Sequence, residues 1–279
     1  MNRPISSNEW RPRKSLGQNF LVDERVARKI VDFADVRPEE TVLEIGPGTG
    51  ALTGLLAERA ARVVAVEIDP VVARTLSQRM SAANVVIIER DILRADLVAL
   101  AAEHGVERWP VVANLPYSIS SRLLVHLVEK ARVVDRATMM VQREVGERML
   151  APPGSRTYGL VSVLLQATGT LRRGFRVGPG AFRPRPKIES LVFAWHADPP
   201  ADLDIPALIA TAKAAFSQRR KRIDNALLTL PGADAGRIAA ACHAAGVDPG
   251  ARAEHLAPDA FIRLSRAFIE LGVLLPGDL

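Results

Sequence analysis

Between about residue 41 and residue 142, short β-branched and almost wholly apolar runs alternate with longer Ala/Leu-rich segments. The runs fall at 41–45, 62–68, 85–89, 110–114 and 137–141. Strands that are apolar on both faces must be covered on both faces, and the βα alternation supplies the helices that do so, as in a parallel sheet. The spacing predicts covering helices at 51–60, 71–80, 95–103 and 120–130, with one more amphipathic helix at 23–34. Asp69-Pro70 places a capping acid before a proline in the first helical turn. The fold class is therefore α/β.

Past Leu150 the texture changes: a loop with Pro152, Pro153 and Gly154, a helix-like stretch at 158–168, and two strand-like runs at 171–177 and 188–195 around a Pro-rich loop at 178–187. A second Pro-rich loop at 197–206 is the expected domain boundary, followed by a strand-free, helix-patterned region at 207–274. Two domains are expected, 1–200 around the sheet and a small all-helical one at 201–279.

Gly46-Pro47-Gly48-Thr49-Gly50 lies between the first strand and its helix, where glycines let the backbone turn sharply and a ligand approach it. Glu67 closes the next strand 17 residues on, where a carboxylate can accept from both hydroxyls of an adenosine ribose. Asp91, after the third strand, can accept from an adenine amine, with Ile92 packing beside the ring. Gly46, Gly48 and Ala51 also satisfy the dinucleotide-binding fingerprint, so a nicotinamide-dependent oxidoreductase is an open alternative.

Asn114-Leu115-Pro116-Tyr117 follows the fourth strand. An adenine amine is a poor nucleophile because its lone pair is delocalised into the ring. Two fixed acceptors, the Asn114 side-chain oxygen and the Leu115 carbonyl, can bind its two protons and draw the nitrogen towards a pyramidal geometry in line with an electrophilic methyl. Pro116 stiffens the turn, and Tyr117 can stack on the base. Stacking is worth about 1–3 kcal/mol per base, and oriented approach about 7–11 kcal/mol of barrier. The bland reading of Asn114 is a helix cap for the segment starting near Ser120.

These motifs, together with the ordered segments 14–21, 44–50, 66–69, 141–145, 182–187 and 216–221, resemble the ribosomal RNA adenine dimethyltransferase family over nearly the whole chain. The resemblance implies a class I methyltransferase (Rossmann-like) sheet with a small helical C-terminal domain. It implies S-adenosylmethionine as cofactor, with Asn19 and Leu21 bordering it, Gly46 and Gly48 under its methionine part, Glu67 on the ribose, and Asp91 and Ile92 at the adenine. Asn114 then takes the substrate amine beside the cofactor, and Tyr117 and Phe182 sandwich the flipped base. The runs 217–221 and 252–256 are similar to the bacterial small-subunit branch, whose substrate is two adjacent adenosines in the 3′-terminal hairpin loop of small-subunit rRNA on an assembling subunit. The antibiotic-resistance branch acting on large-subunit rRNA, and a non-catalytic assembly factor on the same fold, are the alternatives.

Charge supports a polyanionic partner. The chain carries 37 Lys+Arg against 31 Asp+Glu, a net charge of +6. Residues 171–222 hold 11 cations against four acids, a surplus of seven, which leaves the rest of the chain near neutral. Within that run Arg183, Arg185, Lys187, Arg219, Arg220, Lys221 and Arg222 are the candidate RNA phosphate contacts, with Arg11, Arg13 and Lys14 as a second patch. One cysteine, Cys242, excludes an intramolecular disulfide, and the five histidines show no metal-ligand spacing. With no secretory h-region and no apolar run of membrane-spanning length, the expectation is a cytoplasmic monomer without metal or membrane partner.

Overall fold

The computed structural model describes residues 19–80, 83–115 and 119–276. The chain divides into two compact units, Met1–Gly146 with Leu171–Ala197, and Glu147–Thr170 with Asp198–Leu279.

The first unit is built on a seven-stranded, mostly parallel sheet, in agreement with the α/β expectation. In chain order its strands are β2 (Thr41–Ile45), β3 (Arg62–Glu67), β4 (Val85–Glu89), β5 (Trp109–Asn114), β6 (Val134–Gln142), β7 (Gly169–Val177) and β9 (Ser190–Ala197), arranged β4-β3-β2-β5-β6-β9-β7. β2 to β6 run parallel to their neighbours, and β9 lies antiparallel on β6. The carboxyl ends of β2 to β6 therefore share one edge, where open sheets of this type bind ligands. A separate antiparallel pair joins β1 (Phe20–Leu21) to β8 (Phe182–Arg183).

The helices follow from their caps. In α1 (Glu24–Phe33), Asp23 accepts from the N–H groups of Arg25 and Val26 at 2.9 and 3.2 Å, and Ala27, Ile30 and Val31 form the buried stripe. Asp69 caps α3 (Pro70–Arg79), and Asp96 caps α4 (Leu97–His104), which stops at left-handed Gly105. α2 (Thr53–Ala57) is shorter than the 51–60 expected, with Leu52 and Glu58 as its flanking residues. α5 (Ser120–Glu129) follows β5.

β6 begins three residues earlier than expected. Its charged start, Asp135-Arg136, looks like loop in sequence, yet the Arg136 guanidinium is buried and donates to the carbonyls of Ala34 and Asp35 and to the carboxylates of Glu40 and Asp135. A buried charge with all its donors satisfied is tolerated in a strand.

The second unit is helical: α7 (Leu160–Ala167), α8 (Ile205–Ser217), α9 (Ile223–Leu227), α10 (Ala235–Ala245) and α11 (Pro258–Glu270). It begins its main run at Asp198, beside the division expected at residue 200, and also includes Glu147–Thr170. Residues 147–170 join the helical unit because α7 is buried nearly all round and packs on α8 and α11. A helix that is apolar on every face has to be enclosed by others, and the first boundary accordingly falls inside α6 (Arg143–Met149). Tyr158 packs edge-on to Phe216, which stacks on Phe261 at 5.9 Å. Among the described residues no helix is long and apolar enough to cross a membrane, and no group of acids, histidines and cysteines could hold a metal ion.

Candidate active site

The carboxyl edge of the sheet brings together Gly46, Gly48, Glu67, Asp91, Asn114 and Leu115. After β2 the chain turns through three glycines with positive φ, +69° at Gly46, +54° at Gly48 and +86° at Gly50. The Gly46 N–H is held by the Val66 carbonyl at 2.9 Å. A Cβ built on Gly46 would lie 4.0 Å from the Asn114 carbonyl oxygen, so the loop and the β5 terminus are direct neighbours. At Gly48 a Cβ would come within 2.9 Å of the Phe20 ring, so this position needs glycine for both its φ and its space.

Glu67 ends β3 nearly buried. One carboxylate oxygen accepts from Gly48 N–H at 3.1 Å and the other from Asp69 N–H at 2.9 Å. Burial pushes its carboxyl above the usual range, and those two backbone donors oppose the shift. The side chain thus ties the glycine loop to the start of α3 and presents acceptor lone pairs at the sheet edge. Deeper in β2, burial pushes Glu44 up to about 8; the Thr53 side chain counters this and the charge on Glu67 adds to it. Its Oε2 has no hydrogen-bond partner. Around neutral pH Glu44 is therefore an uncharged acid beneath the loop.

Asp91 lies two residues past the end of β4 and caps the short turn at Ile92–Arg94. It accepts from Leu93 N–H at 3.0 Å, with its side chain one-third exposed. Ile92 beside it is buried. Asn114 closes β5 paired with Met140 of β6, and Leu115 N–H donates to the Met140 carbonyl at 3.0 Å, which fixes the chain at the position where the acceptor motif begins. Pro116 and Tyr117 lie outside the described residues, as do Arg11, Arg13 and Lys14.

The β1–β8 pair holds the N-terminal segment against the Pro-rich loop. Leu21 sits opposite Phe182 and Phe20 opposite Arg183, and the Ala181 carbonyl accepts from the N–H groups of Val22 and Asp23 at 2.8 and 3.3 Å. Leu21 and Phe182 both point into the apolar cluster with Val177 and Ala181. Asn19 immediately precedes the pair, and the Phe20 ring reaches the glycine loop at Gly48. Sequence reasoning passed over Phe20. It also passed over Ile68, an apolar residue half exposed directly after Glu67, which reads in sequence as the last residue of a buried strand. The one signal for Ile68 was the Asp69-Pro70 cap, which ends the strand just after it.

The cationic run divides between the two units. Arg183, Arg185 and Lys187 are exposed in the sheet unit, and Arg183 donates to the Phe182 carbonyl at 2.9 Å. In the helical unit Arg219 is engaged internally: Nε donates to Glu254 at 2.9 Å and Nη2 to the carbonyls of Arg156 and Tyr158. Arg222 pairs with Asp224 at 2.7 Å. Arg220 and Lys221 are exposed and make no ion pair among the described residues.

Comparison with known proteins fits this geometry. Residues 10–270 match the family described as ribosomal RNA adenine dimethylase. The chain is 42% identical over 275 residues to ribosomal RNA small subunit methyltransferase A of Geobacter metallireducens, covering 94% of this chain and 97% of that protein. Among solved structures, it is similar to the 23S rRNA methyltransferase ErmE, with a TM-score of 0.65, 27% identity, and 89% and 99% of the two chains covered. It shares its fold with a dimethyladenosine transferase from Plasmodium falciparum, with a TM-score of 0.71, 22% identity, and 91% and 98% covered. Matched over residues 10–270 and 42% identical to a curated relative along almost its whole length, this protein is a member of the ribosomal RNA adenine dimethylase family.

Proposed function

We propose that this protein transfers methyl groups from S-adenosylmethionine to the exocyclic amines of two adjacent adenosines in the 3′-terminal hairpin loop of small-subunit rRNA. The observation that carries the reading is the apposition of Gly46 and Asn114, which sets a ligand cradle against a strand end bearing two acceptors. The likeness to a small subunit methyltransferase at 42% identity, against 27% for a large-subunit enzyme, supports the choice of RNA.

The edge residues suit the cofactor. Gly46 and Gly48 leave room for it at the backbone, Glu67 offers carboxylate oxygens to the ribose hydroxyls, and exposed Ile68 offers an apolar face to the purine. Asp91 is placed to accept from the adenine amine, with Ile92 packed behind it. Bound there, S-adenosylmethionine supplies an electrophilic methyl on its sulfonium. The Asn114 side-chain oxygen and the Leu115 carbonyl accept from the two protons of the target amine and turn its lone pair towards that methyl. Orientation does most of the work, so no acid–base group of tuned pKa is required, and the proton leaves to solvent after transfer. Tyr117 stacks on one face of the base, and Phe182, whose ring is buried in the apolar cluster at the β1–β8 pair, is assigned to the other. Arg183, Arg185, Lys187, Arg220 and Lys221 meet phosphates. The protein works as a monomer in the cytoplasm, on an assembling subunit.

The test is Asn114→Ala, assayed for methyl incorporation into small ribosomal subunits from cells lacking the protein. The expected loss is about a hundredfold or more, the scale of removing one preorganised polar contact at a reacting centre. Cofactor affinity measured by calorimetry should stay within about threefold. Full activity in the variant overturns the mechanism, and wild-type incorporation into large-subunit RNA instead overturns the substrate.

A further inference from the structure

The segment Gln142-Arg143-Glu144 stands out in the sequence and has no part in the chemistry above. It leaves the sheet at the carboxyl end of β6, the strand next to Asn114. Asn114 is paired with Met140, and Arg143, three residues further on, is the first residue of α6, directly after β6 ends at Gln142. In the order β4-β3-β2-β5-β6-β9-β7, β5 separates the cofactor-facing loops of β2 to β4 from Arg143 on the other side.

Arg143 is held in place. Its N–H donates to the Glu189 carbonyl at 2.9 Å, and its guanidinium Nη1 donates to the Glu189 carboxylate at 2.9 Å. Both side chains remain substantially exposed, 45% for Arg143 and 40% for Glu189. The remaining guanidinium donors, Nε and Nη2, have no partner among the described residues. Such an arginine has its orientation set in advance and keeps planar donors open to solvent, the state suited to an oxygen-rich anion.

In adenine the glycosidic nitrogen lies across the ring from the amine, so a base with its amine at Asn114 carries its sugar and phosphate away from the reacting centre. With the cofactor loops on the β2–β4 side, the open side of Asn114 is that of β6 and β9, where Arg143 stands. We propose that Arg143 is a positioning residue that binds a backbone phosphate of the target nucleotide or its neighbour, and that Glu189 holds the guanidinium in readiness and is displaced as the phosphate arrives. The inference rests on the methyltransferase reading and adds a residue to it.

The rival is a simple staple between β6 and β9, and the two partners of the pair discriminate. Methyl transfer to small ribosomal subunits from cells lacking the protein is measured across a salt series for wild type, Arg143→Gln, Arg143→Lys and Glu189→Gln. Arg143→Gln should raise KM for the subunit about tenfold with kcat within about threefold, and flatten the slope of log(kcat/KM) against log salt by about one unit. Arg143→Lys keeps the charge and should retain most of the wild-type slope. Glu189→Gln breaks the pair but frees the cation, so KM should hold or fall and the slope should not flatten. Equal rises in KM for Arg143→Gln and Glu189→Gln, or an unchanged slope in Arg143→Gln, overturn the assignment. Thermal melting checks folding, since both variants lose the same pair and should melt alike. An inactive wild type overturns the methyltransferase reading and this inference together; an active wild type with an unaltered Arg143→Gln slope overturns this inference alone.

Discussion

The two halves of the sheet's carboxyl edge are held in place differently. On the β2–β4 half the acids are fixed by backbone N–H groups: Glu67 by Gly48, 19 residues back, and by Asp69, Asp69 by Val71, Asp91 by Leu93. On the β6–β9 half a half-exposed arginine is held by an equally exposed carboxylate 46 residues away. The first arrangement is rigid and set before any ligand arrives, which suits one small molecule bound the same way each time. The second leaves donors open and can exchange its partner, which suits a long polyanion that arrives and departs.

The most direct way to break this contrast is Glu67→Ala. The change strands the Gly48 and Asp69 N–H groups and removes the acceptors for the ribose. Each stranded buried donor costs about 1–3 kcal/mol. Cofactor affinity should fall by more than a hundredfold in calorimetry, while RNA binding at fixed salt changes less than threefold. Comparable losses of both would mean that the two halves are not independent.

Glu44 tests the same rigid half through pH. Its folded-state pKa near 8 lies above the unfolded value near 4.5, so the folded protein binds the proton more tightly. The resulting stability is complete below the unfolded pKa and is lost as pH rises through about 8. Between pH 5 and 8.5 that amounts to on the order of 3–4 kcal/mol. Glu44→Gln, neutral throughout, should flatten the decline in denaturant midpoint over this range and leave the residual slope of Glu67, whose carboxyl is also pushed upward. An unchanged slope would mean that Glu44 is ionised in the fold.

What could be read from sequence follows the same division. The glycine turn, the Asp69-Pro70 cap and the strand ends at Glu67 and Asn114 are dictated by residues a few positions apart, and β2 and β4 fall at the expected residues. Arg136 was hidden because its partners Ala34 and Glu40 lie 102 and 96 residues away, so a saturated buried cation looked like a loop. The membership of 147–170 in the helical unit was hidden for a like reason, since α7's partners are α8 and α11. Phe20 was missed because its contact, Gly48, belongs to a different motif.

The basic turn of the helical unit gives the smallest and most selective effect. Charge counting treats Arg219, Arg220, Lys221 and Arg222 alike, but their surroundings differ. Arg219 ties the turn to Glu254 and to the carbonyls of Arg156 and Tyr158, and Lys221 N–H donates to the Gln218 carbonyl at 2.8 Å, closing the turn. Arg219→Ala should therefore lower stability by about 1 kcal/mol, the scale of a partly exposed ion pair with added backbone acceptors. Arg220→Gln with Lys221→Gln should leave the melting temperature within about a degree and flatten the salt slope of subunit binding by up to about two units, one for each phosphate no longer neutralised. If the double variant leaves the slope alone and Arg219→Ala alters it, the cation touching RNA is the one whose donors are spent inside the fold. RNA binding would then require the Glu254 clamp to open, and the helical unit would work by partner exchange, as Arg143 is proposed to do on the sheet.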